Sequence, residues 1–180
     1  AGCGQCQGME IHFDGIARAG VYDKSLQRMI LGFKLSGSIE LDSMLGFLMR
    51  SAFEGSEFCG ETDVIVPVPI HWTRRFWRGF NQAHVLSKFI KGNGVKINTD
   101  LVRIRRTKAQ TVMASAASRA KNVKGAFAVR YGHGFPGKRI CLVDDIKTTG
   151  ATLNECAKVL KEAGAAKVYA VVLAVAGQDK

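Results

Sequence analysis

Hydrophobic positions change their spacing along this chain, and the changes mark out its elements. Leu26, Met29, Ile30 and Phe33 recur at helical spacing, and beyond Gly37 so do Leu41, Met44, Leu45, Leu48 and Ala52. Two amphipathic helices joined around residues 36–38 are predicted. Past Gly60 the alternation is that of an α/β unit: residues 64–68 are a short β-branched run, and Val85, Leu86, Phe89 and Ile90 share one face of a helix over 83–90. Weaker strand signals at 101–104 and 126–129 bracket a polar, basic, alanine-rich stretch that reads either as a mobile loop or as containing a helix.

The last third is the most regular. Residues 139–143 predict a buried strand, 152–163 a helix closing before Gly164, and 167–174 another buried strand. Strand, helix and strand in that order favour a parallel sheet with helices on its faces. The opening residues 1–19 are glycine-rich and lack sustained periodicity, which predicts irregular structure with at most a short strand near 11–13.

Composition narrows the class. With 180 residues, 47% of them hydrophobic, one principal core is expected. The net charge of +11 calls for an anionic partner: a polyphosphate, a nucleic acid or an acidic membrane surface. The longest apolar stretch, 168–176, is about half of what a membrane span needs, and the N-terminus lacks a secretory layout. No membrane insertion and a cytoplasmic location are the expectations. The chain opens on Ala1 rather than Met, which suggests a fragment or a processed form. Five cysteines, at positions 3, 6, 59, 141 and 156, do not resemble a disulfide framework, and reduced thiols are expected.

The chemistry concentrates in the run 140–152. An apolar strand ends in Asp144 and Asp145 and passes into Thr148, Thr149, Gly150, Ala151 and Thr152 at the start of a helix. Ligands of open α/β sheets bind beyond the carboxyl ends of strands, where a helix N-terminus offers unpaired N–H groups. Gly150 permits close backbone approach, and the threonine hydroxyls donate to phosphate oxygens without adding charge. Neither the dinucleotide glycine fingerprint nor the lysine-containing P-loop is present. Two carboxylates beside a phosphate would repel it unless they served a neighbouring group, and the 2′ and 3′ hydroxyls of a ribose fit that role. Alternatively the acids cap the turn and the threonines merely begin a helix.

A second constellation lies upstream. Pro67, Pro69, Ile70 and His71 follow a strand, and Arg74, Arg75 and Arg78 precede a helix. Arginine's planar fork suits the oxygens of a pyrophosphate, with backbone N–H groups of the turn adding to it. A solvated basic face shaped by prolines is the plain alternative. Trp72, Phe76 and Trp77 interleave with the arginines, as where single-stranded nucleic acid stacks, or as ordinary packing residues do.

The run 140–152 resembles the motif by which type I phosphoribosyltransferases bind phosphoribosyl pyrophosphate (PRPP). Lys147 departs from it, since that position more often carries a small or apolar residue. Pro67, Val68 and Pro69 with Arg78, Gly79, Phe80, Asn81 and Gln82 are similar to the ComF family of competence-associated phosphoribosyltransferase-like proteins, which includes GntX-like members. The likeness extends to Tyr22, Asp23 and Lys34, to Gln110, and to Arg119, Asn122, Gly125 and Phe127.

This resemblance implies an α/β type I phosphoribosyltransferase fold, a central mainly parallel sheet flanked by helices with an N-terminal helical segment. The division it suggests is an irregular segment over 1–20, a helical segment over 21–60 packed on the core, and the phosphoribosyltransferase core over 61–180. Asp144 and Asp145 would orient the ribose, residues 148–152 would bind the 5′-phosphate, and Pro69, Ile70, His71, Arg74, Arg75 and Arg78 would bind pyrophosphate. Residues 105–124 would be a flexible loop carrying Gln110, Arg119 and Asn122, and Mg²⁺ would be held through PRPP's own oxygens.

Cys3 and Cys6 have the spacing of half a zinc site. They would be the remnant of a zinc module whose other ligands lie outside this chain. The implied activity is phosphoribosyl transfer to an unknown acceptor with pyrophosphate release, in DNA uptake. The alternative is a non-catalytic PRPP sensor or single-stranded-DNA-binding competence protein. A homo-oligomer is admitted among the partners. Cys141 and Cys156 read as core residues, on a strand and on an apolar helical face.

Overall fold

The computed structural model describes residues 10–36, 39–92, 95–107 and 116–176. Strands β1 (Gly15–Val21), β2 (Val64–Pro67), β3 (Lys96–Ile97), β6 (Arg139–Lys147) and β7 (Lys167–Val175) form a sheet in the order β1-β7-β6-β2-β3. Every pairing in it is parallel. Strands β4 (Leu101–Arg103) and β5 (Phe127–Val129) make a separate antiparallel pair. The helices are α1 (Lys24–Ser36), α2 (Ile39–Glu54), α3 (Trp72–Arg78), α4 (Gln82–Ile90), α5 (Ala116–Val123) and α6 (Ala151–Glu162).

Because successive strand residues face opposite sides, the continuous apolar runs of β6 and β7 feed two cores at once. Ile140, Leu142, Val168, Ala170 and Val172 join Leu153, Cys156, Ala157 and Leu160 of α6, Val123 of α5 and Phe127 of β5. Cys141, Val143, Val171 and Leu173 join the other face, covered by Ile30 and Phe33 of α1, Leu45 and Met49 of α2, and Leu86 and Ile90 of α4. Gly46 is what lets α2 lie so close to α4: a methyl group there would run into the ring of Phe89. The expectations of a parallel sheet, two N-terminal helices and buried Cys141 and Cys156 are all met.

The structure departs from the sequence reading in three places and, in a fourth, finds one of its two alternatives, a helix in the basic stretch. The N-terminal strand lies at Gly15–Val21 rather than 11–13, so the segment expected to be irregular supplies an edge of the sheet. An edge strand needs no apolar run, and small residues suffice where Gly15 packs on the ring of Tyr169. β6 does not end at the acids; it keeps pairing with β7 through Ile146 and Lys147. The basic stretch before β5 contains α5. Helix α3, formed where only a turn was expected, is too short and too exposed to leave a periodic signal.

Candidate functional site

The two constellations are brought together by strand pairing. β2 and β6 run parallel in the register Val64↔Ile140 to Pro67↔Val143, and the Val68 N–H donates to the Val143 carbonyl at 2.9 Å. The turn that begins at Val68 therefore starts beside the residue that precedes Asp144. Both lie at the carboxyl edge of the sheet, where open α/β folds hold ligands.

At that edge the acid pair splits. The carboxylate of Asp145 meets the ammonium of Lys34, from α1, at 2.6 Å. Asp144 sits closer to α6, where burial and then its negative charge raise the Cys156 thiol well above its ordinary value. Burial, and next the charge of Asp145, push the Asp144 carboxyl up to about 8; the Asp145 N–H, donating to Asp144 Oδ1 at 2.9 Å, and the charges of Lys34 and Arg103 oppose this. One carboxylate is thus ion-paired, and its neighbour holds a proton unusually well for an aspartate. Sequence reasoning noted Lys34 only through the family likeness and missed Arg103. Both come from distant elements, and nothing local in their sequence announces a partner.

Residues 148–152 form the turn into α6. Gly150 is the N-cap, in the left-handed region at φ 79°, and the Ala151 N–H reaches Thr149 Oγ1 at 3.4 Å. Ala151 is buried, while Thr148, Thr149 and Thr152 are half-buried. The first N–H groups of α6 lie at this turn, as the sequence led one to expect.

The upstream turn is built around His71. Its buried ring caps α3, accepting from the Thr73 N–H at 3.3 Å and lying 2.9 Å from Thr73 Oγ1. Pro69 and Ile70 are half-buried in the connection. Asn81 ties the next helix back to the strand end, its Nδ2 donating to the Val68 carbonyl at 3.1 Å while its Oδ1 caps α4. Arg78 donates to Gln82 Oε1 at 3.3 Å. Arg75 and Arg78 are exposed, and the side chain of Arg74 lies outside the described residues. Trp72, Phe76 and Trp77 are 70%, 81% and 86% exposed, so they are not packing residues of this chain.

The segment over 105–124 is anchored at both ends. It leaves β4 and returns to β5, and Arg105 donates to the carbonyls of Asn122 and Lys124. The Gly125 N–H donates to Glu155 of α6 at 2.6 Å. Ala120 and Val123 of α5 border a cavity against Thr149 and Gly150, so this helix flanks the turn into α6. Arg119 and Asn122 are half-buried on α5. Gln110, Cys3 and Cys6 lie outside the described residues, among which no cluster of three or more metal-ligating side chains occurs.

A parallel sheet with an acid pair on one strand, a threonine-rich turn after that strand and an arginine-bearing turn after its neighbour is the arrangement expected of a phosphoribosyltransferase-type protein. The sequence model of the phosphoribosyl transferase domain matches residues 79–180, more than half of the chain. Competence protein F of Haemophilus influenzae is 32% identical, over 92% of this chain and 75% of its own. DNA utilization protein YhgH of Escherichia coli is 31% identical, over 92% and 74%. A glutamine PRPP amidotransferase of B. subtilis superposes on 73% of this chain and 26% of its own at 22% identity, with a TM-score of 0.47. The chain belongs to the ComF family of phosphoribosyltransferase-domain proteins. Among the described residues no helix is long and apolar enough to cross a membrane.

Proposed function

We propose that this protein binds PRPP at the carboxyl edge of its sheet and transfers the phosphoribosyl group to a nitrogenous acceptor in the handling of DNA. The observation that carries the reading is the pairing of β2 with β6, which supports a single ligand spanning both turns. Asp144 and Asp145 accept hydrogen bonds from the ribose hydroxyls, and residues 148–152 take the 5′-phosphate. Pro69, Ile70, His71, Arg74, Arg75 and Arg78 take the pyrophosphate, and Arg119 and Asn122, with Gln110, close over it.

In the transfer, the acceptor nitrogen bonds to ribose C1 as the bond from C1 to the pyrophosphate oxygen breaks, its electron pair leaving with pyrophosphate. The carboxylate of Asp145, and that of Asp144 once it has lost its proton, favours the positive charge that builds on the sugar. Mg²⁺, held through PRPP's own oxygens, would supply positive charge to the departing diphosphate. Pyrophosphate release measured with PRPP, Mg²⁺ and a panel of bases tests the catalytic step. Release that depends on one acceptor and is lost in Asp145→Asn is expected; PRPP binding with no release for any acceptor would leave a sensor in place of a transferase.

A second reading, not exclusive of the first, is favoured by α3. Three exposed aromatic rings beside Arg75 and Arg78, on a chain of net charge +11, suit bases that stack while their phosphates meet guanidinium groups. The name of the Escherichia coli relative, a DNA utilization protein, agrees with such a role. Single-stranded DNA is then expected to bind with steep salt dependence. Replacing Trp77 by Ala would cost about 1–2 kcal/mol, and replacing Arg75 and Arg78 by Ala would flatten the salt slope. Affinity indifferent to salt would exclude this reading.

A further inference from the structure

Lys147 stands where the phosphoribosyltransferase motif more often has a small or apolar residue, and the fold buries it to 7% exposure. It is the last residue of β6, paired with Val175 of β7. Its side chain bends over the α-carbon of Gly150, with Cε 3.0 Å and Nζ 3.8 Å from where a Cβ on that glycine would be. The ammonium is thus brought to the N-cap of α6, beside a partly enclosed cavity of about 70 Å³ lined by Phe13, Ala120, Val123, Thr149 and Gly150.

Among the described residues no carboxylate or hydrogen-bond acceptor takes up this ammonium. The polar neighbours are committed elsewhere. Asn154 accepts from the His12 N–H at 2.7 Å and donates to the Glu10 carbonyl at 2.8 Å, and Glu155 accepts from the Gly125 N–H. The stem of Lys147 is buried, and its ammonium, with no counter-charge among the described residues, stands at the positive end of a helix, where a cation is disfavoured. That repulsion is offset when an anion occupies the turn.

We infer that Lys147 is a further binding residue for the 5′-phosphate, giving the turn a fixed positive charge that its hydroxyls and N–H groups lack. The inference rests on the reading of residues 140–152 as a phosphoribosyl site. A charge-assisted contact of this kind concentrates affinity on the phosphate monoester rather than on the pyrophosphate arm, so ligands without a 5′-phosphate are discriminated against. Lys147 also crowds position 150, where a Cβ would lie 3.0 Å from its Cε.

Calorimetric titration of the wild-type chain and of Lys147→Met with ribose 5-phosphate, PRPP and pyrophosphate, each with Mg²⁺, tests this. Lys147→Met is expected to lose about ten-fold or more in affinity for ribose 5-phosphate and PRPP. Pyrophosphate affinity should be unchanged, and the free variant should melt no lower than wild type, because the ammonium makes no hydrogen bond or ion pair among the described residues that the variant would lose. Should Lys147→Met fold poorly, Lys147→Gln supplies the same comparison. Ribose 5-phosphate binding equal to wild type, or a matching loss for pyrophosphate, overturns the role of Lys147 while leaving the phosphoribosyl site intact. If the wild-type chain binds neither PRPP nor ribose 5-phosphate, the site reading fails, and this inference with it.

Discussion

Burial and the neighbouring charge of Asp145 raise the pKa of Asp144, so its ionisation opposes folding in the free protein. An acid whose pKa is raised on folding binds its proton more tightly in the folded state. The penalty is therefore absent below about pH 4 and grows as pH rises towards about 8. Asp144→Asn keeps an acceptor for the Asp145 N–H and removes the ionisable group. It is expected to raise stability by on the order of 2 kcal/mol near neutral pH and to change it little near pH 4, read by thermal melting across that range. If Asp144 only capped the turn, the variant would be neutral or less stable at every pH. Gly150→Ala should act in the opposite direction. It forces a methyl group into the left-handed region and against Lys147, costing about 1–2 kcal/mol in denaturant unfolding.

At the scale of elements, the site depends on how β2 and β6 start as well as on how they end. Asp63, just before β2, accepts from the Arg139 guanidinium at 3.0 Å and from the Arg139 N–H at 2.8 Å, and these hydrogen bonds hold its carboxyl down to about 2. An acid whose pKa is lowered on folding stabilises above its ordinary value, and the contribution is lost as pH falls towards about 2. Because the pair is part-exposed, Asp63→Asn should cost only about 1 kcal/mol at neutral pH, a difference that closes on acidification.

Elements with apolar faces were legible from spacing alone, because β6, β7, α1, α2 and α6 must bury continuous or periodic surface. β1 and α3 were not. The first is an edge strand of small residues, and the second carries its aromatic residues outward. Among its described residues, the basic stretch left open as loop or helix holds α5, whose Val123 packs in the core that α6 covers.

For the molecule as a whole, the candidate site was legible to the extent that its residues lie in contiguous runs. The acid pair, the threonine turn and the arginine turn each stand together in sequence, and parallel pairing alone was needed to join them. The partners that tune the site were not legible from local pattern, and Lys34 was noted only through the family likeness. Lys34 arrives from the opposite layer, and Arg103 from a strand outside the main sheet. The positive charge of the whole chain fits both a polyphosphate and a nucleic acid, so charge cannot choose between them.

The central claim is that the carboxyl edge of the sheet binds PRPP. Thermal melting with Mg²⁺ and PRPP tests it most directly, because a ligand at about 100 times its dissociation constant adds about 2.7 kcal/mol of stability. A clear upward shift for wild type, abolished in the Asp144→Asn, Asp145→Asn double variant when each protein is compared with its own ligand-free melt, is the predicted result. No shift for wild type, or an equal shift in the double variant, would contradict it.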